Sequence, residues 1–229
     1  MDRSPATIYL AEQRGITQAD QSYRSWHTFN YGDYQNPHRE APGALRAFNE
    51  DTLAGGQRMV HQAAEAADIM LLPLVGGITV ELYSGKPRRY VEAGTLLVVN
   101  LSEGEKYTVE NPFEADLVSY LHVVVSRAIF KTGLELHTFD LRQHSNGMLK
   151  LAELDNGYQF LIGKFDGRAE YSQILDGPFK NSFIFIIDGV FEVQNRLLHA
   201  RDGLLLTQMQ EFDFEALAHN SIILLLNLS

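Results

Sequence analysis

Short runs rich in Val, Ile, Leu, Phe and Tyr alternate along the chain with clusters of Gly, Asn, Asp and Pro. Such close punctuation predicts an all-β sandwich or barrel and argues against βαβ units. Residues 69–74 and 78–83 read as two strands joined across Val75-Gly76-Gly77. A turn follows at Ser84-Gly85-Lys86-Pro87, then strands at 88–92 and 95–101 on either side of Ala93-Gly94. The run 117–130 is apolar, and its Val123-Val124-Val125 favours a strand over a helix. Further strands are predicted over 135–141, 147–154, 159–165, 169–175, 183–187, 190–193, 196–198, 203–209 and 221–228. Helical signal is sparse. Residues 58–68 carry helix-forming Ala and Glu but abut a strong hairpin, so a loop or short strand competes there. Residues 212–217 fit one helical turn.

The two halves repeat a pattern. Residues 72–81 and 185–193 are each an apolar strand, a glycine turn and an alternating strand. Each is followed by a second turn and a Gly-led apolar strand, at Gly94 and Gly203. This predicts two copies of one β-barrel module, an N-terminal barrel over residues 1–131 and a C-terminal barrel over 132–229.

Charge narrows the partners. Nineteen Lys and Arg against 29 Asp and Glu give a net charge of −10. That balance argues against a nucleic-acid backbone and against an anionic membrane surface. With no cysteine, the chain has no disulfide, thiolate site or cysteine nucleophile. Residues 1–17 lack the apolar core of a signal peptide, and no run reaches the roughly 18 apolar residues of a spanning helix. The expectation is a soluble, cytoplasmic protein. No G-x-G-x-x-G, Walker lysine or G-x-S-x-G motif is present.

The N-terminal third carries a more specific signal. Arg24-Ser25-Trp26-His27, Phe29-x-Tyr31-Gly32-Asp33-Tyr34, Asn36-Pro37, Gly43-Ala44-Leu45-Arg46 and Asn49-Glu50-Asp51 stand in register. Together they resemble the opening signature of the pirin family. The likeness runs well over residues 22–76, is weaker to 101, and rests in the second half on the strand and turn pattern. It implies a mainly β fold of two cupin (jelly-roll) β-barrels in one chain, a bicupin. It also implies a first-barrel metal site, in which a His-x-His pair and a His and Glu from a later strand hold iron or another divalent ion. Some members resemble flavonol dioxygenases (quercetinases), and others act as transcriptional co-regulators through protein contacts.

The chain departs from that ligand pattern. Anchored on Gly76, the His-x-His positions fall on Gln62 and Ala64; shifted to begin at His61, the second falls on Ala63. After Ala93-Gly94, residues 95–103 contain no histidine. Alanine, valine and leucine supply no donor to a divalent ion. His61, Glu65, Asp68, Asn100 and Glu103 are the hard-ligand set that remains to be weighed, and none of His61, Gln62, Ala64, Asp68, Asn100 and Glu103 is assigned beyond a place at the first-barrel pocket. The alternative for His61 is a pocket-mouth ring; Glu65 and Asp68 would then keep an edge hydrated, and Glu103 would be a solvated turn residue. His122, between Leu121 and Val123, reads as a hydrogen-bonded core histidine, and His219 as a turn residue. Arg46 is expected to be buried and to tie the N-terminal segment to the barrel, with Asp51 as a second structural residue and with Tyr31, Tyr34 and Trp26 packed nearby.

The resulting expectation is a pirin-like bicupin without the usual metal ligands, with no catalytic residue assigned and no cofactor expected. It would be non-catalytic and would bind a small molecule or a protein partner. The alternatives are a metal-dependent dioxygenase of the quercetinase type and a co-regulator acting through protein contacts.

Overall fold

The structure, a computed structural model, describes residues 5–83, 88–127, 133–154, 157–175 and 181–228. The turn predicted at 84–87 and the end of the run 117–130 lie outside these residues. The chain divides into two compact units. The first spans residues 14–139; the second joins residues 1–13 to 140–229. A cut at 131/132 therefore does not match this division, because the N-terminal strand belongs with the later residues.

That strand is β1 (Ala6–Tyr9), followed by a short 3-10 turn at Ala11–Gln13. The first unit opens with β2 (Gly15–Ala19), β3 (Tyr23–His27), β4 (Leu45–Leu53) and β5 (Arg58–Gln62). It continues with β6 (Ala67–Val75), β7 (Gly77–Leu82), β8 (Arg89–Glu92) and β9 (Thr95–Leu101). It closes with β10 (Lys106–Glu110), β11 (Val118–Ser126) and β12 (Gly133–Thr138). The second unit runs β13 (Gly147–Glu153), β14 (Gln159–Phe165), β15 (Glu170–Ile174), β16 (Asn181–Asp188) and β17 (Val190–Val193). It ends with β18 (Arg196–His199), β19 (Gly203–Leu206), β20 (Glu211–Ala216) and β21 (Ser221–Leu228).

Each unit is a pair of antiparallel sheets. In the first, a seven-stranded sheet β12-β9-β6-β11-β4-β3-β2 accompanies a four-stranded sheet β5-β10-β7-β8. In the second, a six-stranded sheet β1-β19-β16-β21-β14-β13 accompanies β15-β20-β17-β18. Adding ten to the strand numbers turns β9-β6-β11-β4 into β19-β16-β21-β14, and β5-β10-β7-β8 into β15-β20-β17-β18. The repeat expected from the sequence is thus a duplicated topology. The flanking place that β12 fills beside β9 is filled beside β19 by β1, which pairs Ala6 to Leu206 through Tyr9 to Gly203.

Inward residues of both sheets form each core. Leu53, Ile69, Leu71, Val80, Val99 and Val109 pack together in the first unit; Phe165, Ile186, Phe191, Phe214, Ile223 and Leu225 do so in the second. Strand β9, paired on both sides, is buried at every position, which explains its apolar run Leu96-Leu97-Val98-Val99. Residues 212–217 form no helical turn. Phe212, Phe214 and Ala216 alternate inward along β20, and a period of two cannot be met by a helix. Residues 58–68 likewise resolve into β5, a bend and the start of β6. Among the described residues, no helix is long and apolar enough to cross a membrane.

The two hairpin glycines that revealed the repeat are structurally equivalent. Gly76 and Gly189 have φ of +72° and +81°, in the left-handed region that a Cβ disfavours. A Cβ on Gly76 would sit 2.9 Å from Val118 Cγ1, and one on Gly189 would overlap the Ser221 side chain and lie 2.9 Å from its Cα. Gly32, also at positive φ (+55°), faces open space. Gly189→Ala should therefore cost about 3 kcal/mol and Gly32→Ala about 1 kcal/mol, measured by urea unfolding. Equal losses would show that backbone conformation alone matters at Gly189.

Candidate functional site

The seven-stranded sheet of the first unit carries polar side chains where its inner face should be apolar. Registers align His27 with Asn49 and Asn49 with His122 across β3, β4 and β11. The next row aligns Ser25 with Asp51 and Asp51 with Tyr120. The row beyond, Tyr23, Leu53 and Val118, returns to a largely apolar core. Opposite lies the smaller sheet, where His61 of β5 pairs with Tyr107 of β10. The His61 ring stacks on Tyr107 with centroids 5.0 Å apart and meets His122 edge-on at 4.6 Å.

Hydrogen bonds fix much of this group. The Ser25 hydroxyl donates to Asp51 Oδ1. His122 Nε2 lies 2.6 Å from the Tyr107 hydroxyl, and His27 lies 2.8 Å from Thr17 Oγ1 and 3.0 Å from Asn49 Oδ1. Five buried atoms of the group are left over: Asn49 Nδ2, Asp51 Oδ2, His61 Nε2, Tyr120 Oη and His122 Nδ1 make no hydrogen bond. His122 Nδ1 and Asp51 Oδ2 stand 3.3 Å apart, near enough for an ion pair when the ring is protonated but without hydrogen-bond alignment. Asp51, His61 and His122 each bring a ligand atom within 4.8 Å of the others.

Burial sets the protonation of the group. It works to raise the Asp51 carboxyl, but adjacent His122 and the Ser25 hydroxyl outweigh it and hold the carboxyl below its usual range. Burial and repulsion by His122 push His61 down to about 3, against the pull of Asp51. Burial also lowers His27, with Asn49 opposing, and raises Tyr31 to about 12 with help from the Asp51 charge. Tyr107 and Tyr120 are raised for the same two reasons among others, burial foremost.

The other candidate residues divide. Gln62 and Ala64 are exposed and line a cavity of about 310 Å³ with Tyr31, Ile69, Tyr107, Val124 and Arg46. Asp68 and Asn100 are buried together, but Asn100 donates to Asp68 and Arg127 pairs with it at 3.2 Å, so they form a closed structural pair. Glu103 is exposed and does not join them. Glu65 pairs at 2.6 Å with Arg46. The hard-ligand set considered from the sequence is therefore not assembled. Arg46 is exposed, because its position on β4 is out of register with the inward Ala47, Asn49 and Asp51. It nevertheless ties segments together, donating to Gly43 O, Leu45 O and Ser126 Oγ as well as to Glu65. Tyr31 and Tyr34 pack on His27, while Trp26 packs under Arg14. His122 is a hydrogen-bonded core histidine, and His219 accepts from Gly167 N in a turn.

Tyr107 and the role of Asp51 beside His122 escaped the sequence reading. A signal existed: Asn49 and Asp51 continue the alternation of Ala47 and Leu53, and Tyr120 and His122 continue that of Val118. Only pairing shows that both polar steps lie side by side. The pirin pattern itself does not fit an ion here. Gln62 presents one amide and Ala64 a methyl group, and the donors on β9 are either absent or committed to Asp68.

The His61 shift gives a pH test. Unfolded, the ring takes up its proton near pH 6.5; folded, only near 3. Between these values the unfolded state binds more protons, so its contribution is fully present above pH 6.5 and is lost as pH falls toward 3. Urea unfolding at pH 7.0 and 4.5 should show a fall that is smaller by about 2 kcal/mol in His61→Gln. The same fall in both proteins would mean that the ring titrates normally when folded.

Comparisons with known proteins agree with this architecture. Residues 144–228 match the quercetinase C-terminal cupin domain. Quercetin 2,3-dioxygenase of Escherichia coli K12 is 27% identical over 106 residues, and that match spans 46% of this chain and 46% of the relative, less than half of each. The crystal structure of YhhW from Escherichia coli superposes with a TM-score of 0.88 at 18% identity, covering 98% of both chains. Bacterial pirin YhhW in complex with nickel(II) gives 0.85 at 18% identity, over 98% of this chain and 99% of that one. Quercetin 2,3-dioxygenase from Acinetobacter baumannii gives 0.74 at 10% identity, over 97% and 78%. The solved structures share the fold and the matched domain occupies the second unit, so the chain has the mainly β bicupin fold of these proteins.

Proposed function

We propose that the chain is a small-molecule-binding pirin-like cupin whose ligand occupies the first-unit cavity, and that it does not perform metal catalysis at the pirin ligand positions. The observation that carries this reading is the cavity over Tyr31 and Tyr107. Its volume, about 310 Å³, is at the small end for ligand pockets. Its walls combine two phenol rings with Ile69, Val124 and alanine methyls, and Asn30, Gln35 and Gln62 offer amides. The Arg46 and Glu65 charges at its rim satisfy each other. Such a lining suits a flat, uncharged aromatic with hydroxyl or carbonyl groups. Gln62 and Ala64, where the resemblance places imidazoles, make it a binding surface.

A second reading, a dioxygenase of the quercetinase type, draws support from the buried Asp51, His61 and His122 and from the domain matched at 144–228. It requires a redox ion to join oxygen to a flavonol.

Quercetin separates the two. Titrated into the chain, it should bind without loss of its own absorbance, and Ala64→Trp, which fills the exposed wall, should weaken binding at least tenfold with an unchanged melting temperature. Oxygen-dependent loss of flavonol absorbance would favour the second reading. Absence of binding, or binding indifferent to Ala64→Trp, would remove the cavity as the ligand site for this class.

A further inference from the structure

We propose that Asp51, His61 and His122 form a binding site for one divalent transition-metal ion, built from β4, β5 and β11 and distinct from the pair at Gln62 and Ala64. The three atoms that would ligate it, Asp51 Oδ2, His61 Nε2 and His122 Nδ1, are the buried atoms of these side chains without hydrogen bonds. Asp51 and His122 are almost wholly buried, at 0% and 1% exposure, so water does not replace the missing partners readily. A buried donor set left open at one point is costly unless something fills it.

The opposite edge of each ligand is already held. Asp51 Oδ1 accepts from Ser25, which turns Oδ2 toward the histidines. His122 Nε2 lies against the Tyr107 hydroxyl, so Nδ1 is the ring nitrogen that faces Asp51, and an ion binding there would displace any proton that Nδ1 carries. Outer hydrogen bonds that fix the carboxylate rotamer and the imidazole tautomer are the usual support of metal ligands.

The duplicated fold supplies an internal control. A Cβ on Gly76 would meet Val118 and one on Gly189 would meet Ser221, so these two positions correspond. Two and four residues onward, Tyr120 corresponds to Ile223 and His122 to Leu225. Their cross-strand partners are Asp51 and Asn49 in the first unit, Gly163 and Leu161 in the second. All four second-unit positions are buried and none has a polar side chain. The topology therefore closes without an acid or an imidazole at these places, and the first unit keeps them for another reason. Two imidazoles and one carboxylate suit zinc, cobalt, nickel or ferrous ion better than calcium or magnesium. Tyr31 and Tyr107 line the cavity but the three ligands do not, so the ion would brace the cavity wall from behind. This site stands apart from the ligand-binding proposal and neither needs the other.

The test is titration of chelator-stripped full-length chain with Zn²⁺ by calorimetry and with Co²⁺ by visible absorption. One ion per chain should bind, and saturating Zn²⁺ should raise the melting temperature. His61→Gln should weaken binding more than about 100-fold, and Ser25→Ala, which frees the Asp51 rotamer, by about 10–100-fold. His61→Gln is the variant safest for folding, because His61 is less buried than Asp51 and His122. His199→Gln, exposed in the second unit, should bind as the unaltered chain does. If no ion binds the unaltered chain, or if binding is equally strong in His61→Gln and Ser25→Ala, the proposal is wrong.

Discussion

The Asp51 carboxylate is the constraint around which the first unit is arranged. A charge at 0% exposure inside a β-sandwich costs several kcal/mol unless its neighbours replace the water it has lost. Ser25 from β3 supplies a hydroxyl donor and His122 from β11 stands 3.3 Å away. Both reach it because β4 lies between these two strands with Ser25 and Tyr120 directly opposite Asp51. A register slip of one residue on either side would turn a partner to the other face and strand the charge. The order β3-β4-β11 is thus pinned by electrostatics as well as by apolar packing.

The second unit shows what the same topology does without that constraint. There Phe165, Phe191 and Phe214 meet edge-on at 5.1 to 6.1 Å, and Tyr171 stacks on Phe214. Aromatic packing of this kind contributes stability without any demand for hydrogen-bond partners. Two copies of one strand order thereby divide the work. One is filled with hydrocarbon, while the other gives up part of its hydrocarbon core to a polar group. Proteins break their own packing rules chiefly where function requires it.

Tyr107 links the two features of the first unit. Its ring lines the cavity, its hydroxyl reaches His122, and its face stacks on His61. Whatever rests on the cavity side of that ring therefore touches a residue held by the buried group. Arg46 and Glu65 close the outer rim by pairing with each other, so the cavity offers shape and amides more than charge.

Much of the architecture was legible in the chain. Alternation within strands such as β7 and β20, and left-handed glycines at Gly76 and Gly189, are local consequences of a two-residue period and of a missing Cβ. These determined the β class, the hairpins and the repeat. Gln62 and Ala64 also showed from sequence that the pirin ligand positions are altered. The buried group was not legible: Asp51, His61 and His122 are separated by ten residues and then by sixty-one, and each reads alone as an ordinary polar position. Only strand pairing set Asp51 beside Tyr120 and His122 beside Asn49, and only the facing sheet brought His61 over them. Arg46 failed for a related reason, since its exposure depends on which parity of β4 faces inward. Local sequence fixes the period of a strand, but which side chains meet across two sheets is decided by register, and register is a property of the assembled fold.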